Sequence, residues 1–166
     1  FVERHADIRD GLCAGEAALR AVFSLGSGGG EVTPEAIAGI GSSIVGAVAE
    51  AGLQRWVEAV NHHHSATYRH CLMVTGTAVA FGQHLGCTAS DVERLLVGAL
   101  VHDIGKLAVP VEILEKPGAL DSEEFALVRR HPAIGRDLLG RNGRFDAETI
   151  DLVAHHHEYL DGSGYP

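Results

Sequence analysis

Four places in this chain carry the side chains that hold metal ions: His70, the adjacent pair His102-Asp103, His131, and the adjacent pair His156-His157. Imidazole nitrogens with few carboxylates suit iron or manganese and, to a lesser degree, zinc, whereas magnesium and calcium prefer oxygen shells. Cys71 is the one cysteine beside any of these positions, which argues against a structural zinc finger. Neighbouring residues on a helix point about 100° apart, so each adjacent pair can grip one ion from two sides or reach toward two ions. Asp103, with two carboxylate oxygens, is the natural bridge between two metals.

The other histidines read as ordinary polar residues. His84 fits a helix surface, the run His62, His63 and His64 after Asn61 fits a solvated turn, and His155 faces away from the pair that follows it. The pair His102-Asp103 is different. It follows the apolar run LLVGALV and precedes Ile104 and Gly105, so it is expected to be buried. Burial without partners costs on the order of several kcal/mol, which a metal would offset. Composition alone leaves a metal site and a buried pair satisfied in another way both open.

The elements that must position these residues are helical. SLGSGGGEVTPEAI marks a break, because its glycines each cost about 1 kcal/mol against alanine inside a helix. Thr33 then caps a new segment, with Pro34 at its first position. A short helical piece precedes this linker, and helix is predicted from about Pro34 to Val60 with a break near Gly52. Tyr68 to Leu85 follows with Gly86 as its stop, and Ser90-Asp-Val-Glu93 reads as a capping box before the stripe of Val92, Leu95, Leu96, Ala99 and Leu100. Asp121-Ser-Glu-Glu124 repeats that signal, and Asp146 opens a last helix that ends near Glu158. No alternating strand pattern, internal repeat or heptad run competes. The fold class is therefore all-α.

At 166 residues and 46% hydrophobic content, the chain can bury one real core. Only 5% of it is aromatic, so Ala, Val and Leu must do the packing, which favours helices in close contact. The net charge of −9 argues against nucleic acid as the main partner. Three cysteines, Cys13, Cys71 and Cys87, show no framework spacing and fit reduced thiols in a cytoplasmic setting. No apolar run approaches the ~18 residues of a membrane span. The opening FVERHADIRD is charged, resembles no signal peptide, and reads like the middle of something longer.

HDIGK at His102–Lys106, KPG at Lys116–Gly118, HP at His131-Pro132 and HHEYLDGSGYP at His156–Pro166 together resemble the HD-GYP family, the HD-superfamily phosphohydrolases that cleave cyclic di-GMP. TYRH at Thr67–His70 resembles the family's opening metal histidine. The resemblance implies an HD-type helical bundle around a metal cluster, over 61–166, after an N-terminal helical region over 1–60 with its Gly-rich linker near 24–32. It implies two divalent ions, iron first, manganese next and zinc behind. His70, His102 and Asp103 would hold one, and Asp103 would bridge to a second on His131, His156 and His157. Some members hold a third metal through a glutamate four residues before the first histidine; that position is Ala66 here, which favours two.

By the same resemblance, Asp103 and Lys106 are the catalytic candidates, with Lys106 facing the substrate phosphate. Gly164, Tyr165 and Pro166 form the signature loop beside the pocket, a meeting point for substrate and for GGDEF-type or other signalling partners. Glu158 is a candidate to orient a histidine from behind; a solvated helix-end carboxylate is the equal alternative. The implied function is a metal-dependent phosphodiesterase of bacterial second-messenger signalling, hydrolysing cyclic di-GMP to pGpG and/or GMP, with a homodimer among its states. The alternatives are a catalytically silent module that binds a nucleotide or a partner through the GYP loop, and an HD phosphohydrolase acting on another cyclic dinucleotide. The family places a further metal aspartate on a helix well after the GYP loop, so a longer parent chain with additional C-terminal helices is expected.

Overall fold

The computed structural model describes residues 7–24, 33–62 and 66–166, and among these every regular element is a helix. The Gly-rich stretch after Ser24, and His63 and His64, lie outside the described residues. The chain forms two compact units that divide between Leu100 and Val101. The expected boundary near residue 60 falls inside the first of them, at the end of its third helix.

The first unit contains α1 (Ile8–Ser24), α2 (Pro34–Ala51), α3 (Leu53–Asn61), α4 (Ala66–His84) and most of α5 (Ala89–Val101). Thr33 caps α2 as its sequence suggests, accepting a hydrogen bond from the Ala36 amide at 3.2 Å. Gly52, at φ +82°, ends α2, and α3 leaves at a bend of 119°. Among the described residues no single helix is long and apolar enough to cross a membrane; α2 and α3 together match one in length and composition, but as a bent pair.

Small residues let these helices meet. The fully buried Trp56 indole lies against Gly76, where a Cβ would overlap it, and its Nε1–H donates to the Leu72 carbonyl at 2.9 Å. That bond removes the penalty of burying an indole N–H. Leu19, Ile37, Ile44 and Leu72 are fully buried as well.

One cap differs from its sequence expectation. The α5 box is not Ser90–Glu93 but Thr88–Asp91. Thr88 Oγ1 accepts from the Asp91 amide at 3.2 Å, while the Asp91 carboxylate accepts from the Thr88 hydroxyl at 2.6 Å and its amide at 3.3 Å. Both spacings offer a hydroxyl three residues before an acid. The earlier one satisfies both ends of the pair, so the helix begins there.

The second unit starts with the last residue of α5. It continues through a 3-10 turn (Ile104–Ala108), α6 (Val111–Leu114), α7 (Ser122–Val128), α8 (His131–Asn142) and α9 (Ala147–His155). Asp121 and Glu124 form the expected reciprocal capping box on α7, and Asp146 caps α9 by accepting from the Thr149 amide at 2.8 Å. Two glycines bring the elements together. A Cβ on Gly105 would overlap the His131 carbonyl, so the 3-10 turn packs main chain to main chain on α8. A Cβ on Gly135 would sit 2.8 Å from a Val153 methyl, so α8 also packs closely on α9. This contact places Asp103, His131 and His156 within reach of one another.

Candidate metal centre

Asp103 is the hub. Its backbone, at φ −96° and ψ 8°, lies in the sparsely populated bridge region between α5 and the 3-10 turn. Its side chain is 1% exposed, and its two oxygens face different neighbours. Oδ1 lies 3.1 Å from His131 Nε2 and 3.8 Å from His156 Nε2. Oδ2 lies 2.7 Å from Lys106 Nζ and 3.3 Å from His102 Nε2. Burial works to raise the pKa of this carboxyl. The facing His102 and His131 rings and the Lys106 ammonium outweigh it, and the group is held well below the usual carboxylate range.

The histidine tautomers follow from the helix ends. The last carbonyls of a helix lack intrahelical partners. Val128 closes α7, and its carbonyl accepts from His131 Nδ1 at 2.7 Å. Val153 lies in the last turn of α9, and its carbonyl accepts from His156 Nδ1 at 2.9 Å. With each Nδ1 carrying its proton, each neutral ring turns an Nε2 lone pair inward. The two Nε2 atoms are 3.1 Å apart, both facing the Asp103 carboxylate. Burial first, opposed by the Val153 carbonyl, lowers the His156 pKa from 6.5 to about 4, so that ring is neutral at pH 7. His157 is also lowered, by burial and then by His131.

Three acceptor atoms at this separation call for a positive centre among them. Two ligand atoms each about 2.1 Å from one ion lie about 3–3.5 Å apart, which the two 3.1 Å separations match. Ligand atoms of Asp103, His131, His156 and His157 all lie within 4.8 Å of one another. This is the nitrogen-rich, single-carboxylate donor set of a divalent transition metal. The His/Asp cluster therefore fits a metal site.

The rings form a continuous pile. His102 meets His156 edge-on at 5.0 Å between centroids, and His156 lies 4.2 Å from His157. Tyr165 stacks on His157 at 4.6 Å and 22°. The loop carrying it is folded back on the end of α9. The Tyr165 amide donates to the His157 carbonyl at 3.2 Å, and a Cβ on Gly164 would overlap that same carbonyl. Pro166 follows through a cis peptide.

Glu158 is exposed and accepts from the Tyr159 amide at 3.0 Å. The groups that orient His131 and His156 are main-chain carbonyls, because the helix ends supply acceptors at shorter reach. His70 sits in the first turns of α4, in the first unit, and is exposed there. His62 and His84 are exposed as expected, and His155 turns outward to Asp151 at 3.0 Å. Sequence reasoning missed Gly105, Gly135 and the two valine carbonyls. The repeated Val-x-x-His spacing, Val128 to His131 and Val153 to His156, is the signal that could have found the carbonyls. It also missed Arg129, whose guanidinium carbon lies 4.7 Å over the Tyr165 ring.

Comparison with known proteins agrees with this architecture. The chain is 43% identical over 100 residues to a cyclic di-GMP phosphodiesterase of Pseudomonas aeruginosa, covering 60% of this chain and 24% of that protein. It is 35% identical over 115 residues to the cyclic di-GMP phosphodiesterase response regulator RpfG of Xanthomonas campestris, covering 69% and 30%. It is 39% identical over 82 residues to a 3'3'-cGAMP-specific phosphodiesterase of Vibrio cholerae, covering 49% and 16%. The chain thus spans less than a third of the length of each of these relatives. The HD domain family matches residues 53–166, the stretch that holds every ligand candidate described above, and the chain belongs to that family.

Proposed function

We propose that this chain carries the metal-dependent phosphodiesterase centre of an enzyme that hydrolyses cyclic di-GMP to pGpG and/or GMP. The observation that carries the reading is the convergence of His131 Nε2, His156 Nε2 and Asp103 Oδ1, at 3.1 to 3.8 Å, with both Nδ1 protons committed to main-chain carbonyls. The names of the relatives support the substrate class, a cyclic dinucleotide.

In this reading His131, His156, His157 and Asp103 would hold one divalent cation. Asp103 and His102 would serve a second, with His70 kept as its ligand on sequence resemblance. Iron is the first choice, manganese the second, zinc the third. Bound there, such ions supply a water acidic enough to attack at neutral pH and positive charge against the phosphoryl oxygens. The protein's part is electrostatic and positional. Asp103 stays ionised and holds its two oxygens apart. Lys106, 21% exposed, brings a cation from the carboxylate to the mouth of the site, where it can meet a phosphodiester oxygen. Tyr165, stacked on His157, closes one wall of the site with Gly164 and Pro166.

A cluster of this kind lets a chain of net charge −9 attract a dianion, because the local field is inverted. The setting is cytoplasmic, residues 61–166 are the HD-GYP domain after a helical region over 1–60, and GGDEF-type signalling proteins or a second copy meet the Tyr165 loop. The test is hydrolysis of cyclic di-GMP and 3'3'-cGAMP by the chain within its full-length parent, loaded with iron or manganese. Metal-loaded protein that binds either dinucleotide without cleaving it would replace this reading with a silent signalling module.

A further inference from the structure

We infer that Arg129 is a positioning residue that sets the ring of His157 through Tyr165. The inference rests on the reading of the histidine cluster as a metal centre. The guanidinium carbon of Arg129 lies 4.7 Å from the centroid of Tyr165, and Tyr165 lies 4.6 Å from His157 at an interplanar angle of 22°. Guanidinium, phenol and imidazole are thus three layers of one stack, and the imidazole is one of the three that gather with Asp103. Phe125, one turn earlier on α7, has its ring centroid 5.9 Å from the same guanidinium carbon.

The placement on the chain gives this stack its meaning. Val128, the preceding residue, fixes His131 through its carbonyl, and His131 follows two residues later. The short turn between α7 and α8 therefore holds two ligands at once, one through main chain and one through a side chain. His157 needs such help. His131 and His156 have carbonyl partners for Nδ1, whereas the ring contacts of His157 in its own unit are the stack and the neighbouring histidines. Arginine suits the outer layer because its planar cation lies flat on an aromatic face.

The sign of the effect separates positioning from simple charge. Removing a cation beside a metal site should tighten metal binding if charge alone acts, whereas loss of a positioning layer should weaken it. Mn2+ affinity of the full chain, measured by electron paramagnetic resonance of the free ion, is expected to fall about fivefold in Arg129→Gln, the size of a modest cation–π contact. Arg129→Lys should lie closer to the native chain. In a Tyr165→Leu background, Arg129→Gln should have no further effect, because the layer it acts through is gone.

A second readout needs no metal. In chelator-treated protein the His157 ring protons, identified against His157→Gln, should lose their ring-current shift in Arg129→Gln. Tighter Mn2+ binding in Arg129→Gln, an undiminished effect in the Tyr165→Leu background, or unmoved His157 ring protons would each overturn the inference. Absence of cyclic dinucleotide hydrolysis with these shifts intact would instead overturn the functional reading and leave the stack standing.

Discussion

Lys106 Nζ lies 2.7 Å from Asp103 Oδ2, one turn along the chain from the carboxylate it neutralises. The lysine and a metal ion on that oxygen are rivals for the same lone pairs. A metal ion on that oxygen would free the ammonium to meet a phosphate. Lys106→Met should therefore keep its metal content by elemental analysis while turnover of cyclic di-GMP falls by about 10²-fold, the scale for losing one charge-stabilising donor. Unchanged turnover would remove Lys106 from the reaction.

Asp103→Asn keeps the shape of the hub and removes its charge. Metal content and hydrolysis should be lost together, since the asparagine is a weak ligand. The metal-free protein should also lose about 3 kcal/mol, because Lys106 is left without the buried charge that balances it. Urea denaturation with chelator present measures the second effect separately from the first. Retained metal and full activity would contradict the arrangement proposed for the centre.

Gly105→Ala tests the packing that assembles the site. The added methyl would meet the His131 carbonyl and the Gly135 amide, both main-chain groups that cannot rotate away. A destabilisation of about 1–3 kcal/mol is expected, with weaker metal binding as the 3-10 turn shifts off α8. Gly140→Ala on α8 meets nothing within 4 Å and should raise stability by up to about 1 kcal/mol while leaving metal binding unchanged.

Acid should weaken the metal-free fold through two groups acting in the same direction. His156 titrates near 6.5 when unfolded and near 4 when folded, so between those values the unfolded chain binds more protons. Stability therefore falls as pH drops from about 6.5 to about 4 and then levels, a loss on the order of 3 kcal/mol for this group. Asp103, lowered in the folded chain, adds a further loss as pH falls below the usual carboxylate range. His156→Gln should abolish the first phase in a series of urea midpoints against pH and leave the second. Persistence of the upper phase in that variant would assign it elsewhere.

The helices were legible because their punctuation is strong. Thr33-Pro34, Gly52, Gly86, Asp121–Glu124 and Asp146 each act within one turn, and local signals need no tertiary knowledge. The α5 start was misplaced by two residues because two overlapping boxes compete and sequence does not rank them. The candidate ligands His102, Asp103, His131, His156 and His157 stood out by adjacency to helix ends and by their place in the HD and GYP motifs. The mutual approach of the 3-10 turn, α8 and α9 was not legible, because Gly105 and Gly135 look like any other glycines until their neighbours are known. Arg129 was hidden for a related reason: its partner Tyr165 is far along the chain, and only the folded loop brings the ring to the guanidinium.

The carbonyls of Val128 and Val153 decide which nitrogen of each ring keeps its proton, and a carbonyl cannot be exchanged by altering a codon. The tautomers of His131 and His156 are thereby insulated from point changes in the surrounding side chains. What can release them is unwinding of the final turn of α7 or α9. Any influence that frays those helix ends would release both rings without altering a single side chain of the cluster.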